Sequence, residues 1–434
     1  MVKLLEDVVV KIAFFITEPD DLFAFLDALR SSKLIGPLEY LWKLSLSNKR
    51  SLLWPKLDLS RLDFKNPATP EWVEAIAKYY PCVSIAHAMD VGWLRRHVSP
   101  QARQEWSIIS IPNSRQYWRN WSTLRITQLT ILAKNVDYSG FLEALTHLDH
   151  LKSLHLSAIA ETIRWMDRVL AFAATSAQLE ELELITALDH DITASMLQDL
   201  IKWFNRRPVR VFRFCKWRWR VDDKVLKQTF YETMFNSPKL DRLKVAHTPL
   251  DDIDFSNMVM SVRYLHVEDC YLNSEQIGTL ATSLERSSVQ ELILAIYGDP
   301  CIEGIQQLIR ALPRMTIKSL ELAIYYCTYV AWDDVVPLLE SCKLTSLTLR
   351  GGRFDFRTAA LLGEALRNNQ TIRDITLTGR SLKYQDTRKF LDDVTTPKRS
   401  ESIRHIHLEG IDVPSGDKDV LQQIAISRGA ELHF

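Results

Sequence analysis

The six residues Cys215-Lys216-Trp217-Arg218-Trp219-Arg220 form the most unusual hexamer in the chain. Tryptophan and arginine dominate the hot spots of protein interfaces, so Trp217, Arg218, Trp219 and Arg220 are candidates for a contact rim. The bland alternative is that one tryptophan packs into a turn while the arginines are solvated. Aromatic and basic side chains together also stack on single-stranded nucleic acid, but no second run of this kind occurs and nucleic acid is a poor fit. His405 and His407, two apart, share one face of a strand and offer two metal-type donors. No third ligand is evident from spacing, so a structural role is expected and no metal site is assigned. There is no G-x-S-x-G, P-loop, H-E-x-x-H or kinase signature. The expectation is a protein that is not an enzyme and needs no cofactor.

Composition agrees with a binding role. The 434 residues are 47% hydrophobic and 25% charged, and 54 Lys plus Arg balance 54 Asp plus Glu, so no global field draws the chain to nucleic acid or membranes. The six cysteines show no C-x-x-C pair, which reads as buried thiols in a reducing compartment. No apolar run reaches membrane-spanning length, and charges at Glu6, Asp7 and Lys11 break the first one. A cytoplasmic or nuclear protein is expected.

A further set of candidates emerges from a repeated phrase. Leu344, Leu347 and Leu349 spell L-x-x-L-x-L, and Ile372, Ile375 and Leu377 spell it again. Its first positions are Leu124, Leu151, Leu179, Val209, Leu240, Val262, Val289, Ile317, Leu344, Ile372 and Ile403, between 22 and 31 residues apart. The L-x-L core is a short strand with alternate residues inward, so positions three, five and seven face out. Those positions place Glu181 and Glu183 on one strand, Arg213 on the next, then Arg242 and Lys244, then Tyr264 and His266. Glu183, Arg213, Arg242, Lys244, Tyr264 and His266 are therefore the candidate partner-binding residues. Cross-strand pairing such as Glu183 with Arg213 is the structural reading. Anchoring of an acidic or phosphorylated peptide by the basic strands is the functional one.

Self-similarity at this period with L-x-x-L-x-L is the signature of leucine-rich repeats. Between phrases, runs such as Ile277, Leu280 and Leu284 mark the inner face of a return helix, with Asn273 and Ser274 as its cap. A long helix in nearly every repeat makes residues 124–434 resemble the ribonuclease-inhibitor-like subclass. The expected fold class is α/β: a solenoid with parallel strands on the concave face and helices on the convex face, because helices are wider than strand spacing. The chain departs from that subclass at position nine, usually Asn or Cys, where only Cys270 fits and Trp217, Tyr297, Tyr325 and Gly352 stand elsewhere. The 22-residue step from Leu240 to Val262 leaves room for a turn or short helix only. Residues 59–123, with strand-like pieces at Val83–Ile85 and Trp106–Ile111 and five tryptophans, read as degenerate leading repeats.

Residues 1–58 read as a small helical unit. Leu5, Val8, Val9, Ile12, Phe15 and Ile16 form an apolar stripe, Pro19 and Asp20 start a second helix through Leu22 and Leu29, and a third follows Gly36-Pro37. Leu4-Leu5-Glu6, Ile12, Ile16, Asp21-Leu22-Phe23 and the closing Leu53-Trp54 lie in register with the F-box pattern, and this segment resembles an F-box. It departs at Leu5, where that family usually has proline. The resemblance implies docking on a Skp-type adaptor of a cullin ubiquitin ligase, with Leu5, Ile12, Ile16, Leu22 and Trp54 in the adaptor-binding unit and the repeats holding a protein substrate. The alternative is a non-ligase scaffold, or a regulator of another enzyme such as a GTPase, whose N-terminal helices only cap the repeats.

Overall fold

The apolar phrase becomes a strand in repeat after repeat, and parallel strands one repeat apart must be joined by a crossover segment. The computed structural model describes residues 2–31, 34–86, 89–110, 112, 114–132, 139–158, 165–297, 302–325, 332–351, 355–378, 382–397, 399, 402–410 and 413–434. They form two units, Met1–Leu188 and Asp189–Phe434.

The first unit opens with helices α1 (Val2–Ala13), α2 (Pro19–Arg30), α3 (Leu38–Ser45) and α4 (Arg50–Leu53). Its strands β1 (Leu57–Asp58), β2 (Cys82–Ala86), β3 (Arg103–Ile108), β4 (Ile126–Ile131), β5 (Ser153–Ala158) and β6 (Glu181–Thr186) pair in parallel, each with the next. The leading pieces before residue 124 are thus rungs of the same sheet. Trp106, Trp118 and Trp121 are buried there, with Trp121 edge-on to both others at 5.7 and 5.1 Å, and fill the core. Trp54 joins the helices to the strands. Its indole N–H donates to the Ile16 carbonyl at 2.7 Å, its ring lies 4.8 Å from Phe14 and 5.8 Å from Tyr80, and the Tyr80 hydroxyl donates to the Leu53 carbonyl at 2.6 Å.

The second unit carries β7 (His190–Ile192), β8 (Val211–Cys215), β9 (Trp217–Trp219), β10 (Arg242–Ala246), β11 (Tyr264–Glu268), β12 (Glu291–Tyr297), β13 (Ser319–Tyr325), β14 (Ser346–Gly351), β15 (Asp374–Thr378), β16 (His405–Glu409) and β17 (Glu431–His433). Strands β8 and β10 to β17 form one parallel sheet, while β7 and β9 pair separately. Register is exact enough in repeat phase that Phe212, Leu243, Leu265, Leu292, Leu320, Leu347, Ile375, Ile406 and Leu432 stack into one buried apolar column. A one-residue slip would turn every one of them to solvent. The helix Ser274–Leu284 buries Ile277, Leu280 and Leu284 and starts with a capping box, Asn273 and Gln276 each accepting the other's backbone N–H at 2.9 Å.

Among the described residues, two repeats depart from the strand–helix plan. The 22-residue repeat has no helix: Leu250, Ile253, Phe255, Met258 and Met260 are buried from turn and extended backbone. In the repeat from Ile317 to Leu344 the described residues after β13 form the 3-10 turns Trp332–Asp334 and Val336–Ser341 in place of a return α-helix. Pro337 falls in the first turn of the second of these, a position that tolerates its missing N–H.

Strands end on a common turn. Position eight of the phrase is left-handed at Lys216 (φ 59°), His247 (49°), Asp269 (51°), Gly351 (74°) and Gly410 (70°). At Gly351 the backbone also passes so close to the Ile324 carbonyl oxygen that a Cβ would collide with it. Position nine then satisfies the turn. The Cys270 thiol donates to the Glu268 carbonyl at 3.2 Å, and the buried Thr248 hydroxyl accepts the Trp217 N–H and donates to the Ala246 carbonyl, both at 3.1 Å.

Candidate interaction surfaces

Parallel register brings the outward residues of β8, β10 and β11 into rows. Arg213 lies beside Lys244 and Lys244 beside His266; Arg242 lies beside Tyr264, which lies beside Glu291 on β12. The Arg242 guanidinium sits over the Tyr264 ring, 4.7 Å from its centroid, a cation–π contact that holds an exposed side chain in place. The Tyr264 hydroxyl lies 3.3 Å from Nδ1 of His266, whose Nε2 lies 3.1 Å from Glu268. Lys244 Nζ reaches the same Glu268 oxygen at 3.1 Å. Burial, with the Lys244 charge beside it, pushes the His266 imidazole down to about 4. A neutral ring that donates from Nε2 to Glu268 accepts the tyrosine proton at Nδ1, so one tautomer satisfies both bonds. Burial alone would raise the Glu268 carboxyl; the Lys244 hydrogen bond and charge outweigh it and hold the group below the usual range.

This network answers what the basic strands carry. Lys244 is tied to Glu268, while Arg242 projects from its tyrosine platform and remains the group best placed to meet an anion. Glu183 lies in the first unit, 3.9 Å from His155 on the neighbouring strand. The arrangement offers charge and hydrogen bonds and no activated nucleophile. Burial pushes the Cys270 thiol up to about 12, and burial with the Glu105 charge takes Cys82 to about 11.

The rim hexamer folds into β9. Trp217 is fully buried and stacked on Phe214 at 4.2 Å, so it supports the turn and presents nothing to a partner. Trp219 donates its indole N–H to the Pro249 carbonyl at 2.6 Å and meets Tyr231 edge-on. Arg218 and Arg220 each reach Asp191 at 3.2 Å on the adjacent β7. Exposed pairs of this kind are worth at most about 1 kcal/mol and leave both guanidinium groups accessible. Of the hexamer, Arg218 and Arg220 are the residues a partner can reach.

On α1 the single stripe read from sequence divides into two faces. Val9, Val10 and Ala13 are buried, while Val8 (47% exposed) and Ile12 (46%), one turn apart on α1, and Phe15 (86%), in the turn just after it, stay open. Among the five expected adaptor residues, Ile12 is exposed, Ile16 is half-buried, and Leu22 and Trp54 are interior. The side chain of Leu5 lies outside the described residues. Leu22 and Trp54 therefore hold the helices together, and among the described members of that set Ile12 alone is exposed.

Farther along the strand face, Arg350 bridges Glu321 at 2.9 Å and Glu409 at 2.6 Å, and Thr378 donates to the same Glu409 oxygen at 3.0 Å. At β16 and β17, His405 finds donor-type neighbours from the next strand, Glu431 and His433. Sequence spacing could not reveal them, because they come from the following repeat. Thr248 is hidden for a related reason: position nine of that subclass usually carries Asn or Cys, and here a threonine hydroxyl does the same work.

In-register parallel strands joined through helices and turns, with a buried apolar column and rows of exposed polar side chains, define a leucine-rich-repeat fold. No family model and no curated protein sequence matches the chain. Among solved structures it is similar to a chain of a TLR13–ssRNA13 complex, at 14% identity and a TM-score of 0.38, over 73% of this chain and 43% of that one. The chain thus spans less than half the length of that neighbour. No helix among the described residues is long and apolar enough to cross a membrane.

Proposed function

We propose that the chain is a protein-interaction subunit, in which the N-terminal helices dock a Skp-type adaptor of a cullin ubiquitin ligase and the strand face of the repeats holds a protein substrate. The observation that carries this reading is the open apolar set of Val8 and Ile12 on α1 with Phe15 in the turn after it, beside a helix face that is already buried. Large apolar side chains exposed together on and just beyond a helix are the usual anchors of a helix-mediated contact. The Arg242–Tyr264 platform supports a substrate segment bearing acidic or phosphorylated groups. Such a subunit does no bond chemistry itself; it raises the effective concentration of one bound partner near another.

The test is co-purification of the full chain with a Skp-type adaptor, beside an Ile12→Asp/Phe15→Asp variant. Wild type is expected to retain the adaptor and the variant to lose it at an unchanged melting midpoint. Failure of the wild-type chain to retain any adaptor removes the ligase reading. The second reading, helices that only seal the repeats, is favoured by one observation: Trp54, Ile16 and Tyr80 pin them to the first strands. It predicts that neither protein retains adaptor.

A further inference from the structure

The geometry points to a binding site for a divalent transition metal of the zinc type on the β16–β17 edge, held by His405, Glu431 and His433. The two strands pair in parallel with His405 opposite Glu431 and His407 opposite His433, so alternation brings these side chains to one face. One ligating atom from each of His405, Glu431 and His433 lies within 4.8 Å of the others. Nδ1 of His405 is 3.4 Å from a Glu431 carboxylate oxygen, and Nε2 of His433 is 3.7 Å from the same oxygen. Ligands about 2.0–2.1 Å from a tetrahedral centre lie roughly 3.3 Å from each other, so two edges of the coordination figure are nearly at length. All three side chains are more than half exposed, at 54, 67 and 57%, so small rotations can close the third edge without disturbing the core.

The donor set argues for the class of ion. Two imidazole nitrogens and one carboxylate oxygen suit zinc and its transition-metal neighbours, whereas magnesium and calcium prefer oxygen-rich sites. The other ring nitrogen of His405 faces Asp374 on β15 at 3.9 Å. A carboxylate behind a ligating histidine orients the ring and raises its basicity. Three protein ligands leave a fourth position for water or a donor from a bound partner. The ion would tie β17 to β16, and because the unfolded chain does not preorganise these ligands, it would stabilise the folded state by mass action. This inference stands apart from the adaptor reading, since it uses other residues, in the second unit.

The experiment uses the full chain without a histidine tag. Co2+ serves as a visible probe of coordination, and Zn2+ is then titrated by calorimetry and followed by melting midpoint. One equivalent is expected to bind, Co2+ to develop the intense absorption of low-coordinate protein ligation, and Zn2+ to raise the midpoint. His433→Gln and Glu431→Gln are each expected to weaken Zn2+ at least about tenfold, with unchanged midpoints in the absence of metal, while His147→Gln on the first unit changes nothing. A Co2+ spectrum that stays aqua-like overturns the proposal. So does Zn2+ affinity that survives a His405→Gln/His433→Gln double substitution.

Discussion

Thr248 and His266 show how single side chains hold the turns and the strand face together. Thr248 sits where the turn after β10 would leave the Trp217 N–H without a partner, and its hydroxyl both accepts that proton and donates onward. Thr248→Val keeps the shape and removes the bond. It is expected to cost about 1–3 kcal/mol in urea denaturation, with Thr248→Ser recovering most of the loss. His266 sets a pH dependence. Its folded value of about 4 lies below the roughly 6.5 of a free imidazole, so the unfolded chain binds a proton in that window that the folded chain refuses. Stability therefore falls as pH drops from about 6.5 to about 4, and the depressed Glu268 carboxyl acts in the same direction at the acid end. His266→Gln is expected to lose less stability than wild type between about pH 7 and about pH 4.5; equal losses would show that the imidazole contributes nothing to this slope.

Elements were legible in the sequence wherever periodicity and burial coincide. Leu347 and Leu349, or Ile375 and Leu377, announce strands because alternate residues of a parallel rung have only one buried direction. The helix Ser274–Leu284 was legible from its inner face and its cap, and the capping box found there makes a direct prediction: Asn273→Ala should cost about 1 kcal/mol by thermal denaturation. The 22-residue step before Val262 announced a turn or a short helix, and the chain takes the turn. What could not be read was conformation set by neighbours. Lys216, His247, Asp269 and Gly351 share one left-handed turn, yet four residue types carry it and only one is glycine. The α1 stripe was visible, but which half stays open depends on what α1 packs against. The candidate site was legible as a set of outward residues; its wiring through Glu268, and the partners of His405, belong to cross-strand geometry that spacing within one repeat does not contain.

In a stack of repeats each rung gains stability only from its neighbours. In the second unit the connection of residues 247–263 meets those neighbours through turns and extended backbone, without a helix. Its backbone amides are expected to exchange with deuterium faster than those of β12 and of helix Ser274–Leu284, measured by mass spectrometry on the intact chain. Uniform protection across the unit would mean that the sheet ladder alone carries the stack. The position of this connection has a consequence for binding. It joins β10 to β11, so the Arg242–Tyr264 and Lys244–Glu268 contacts are stitches across a seam. A partner that grips Arg242 and Tyr264 together acts as a splint, and deuterium uptake at the seam should fall when it binds. By linkage the reverse holds as well: whatever lets the seam gape, acid at His266 included, loosens the partner's grip.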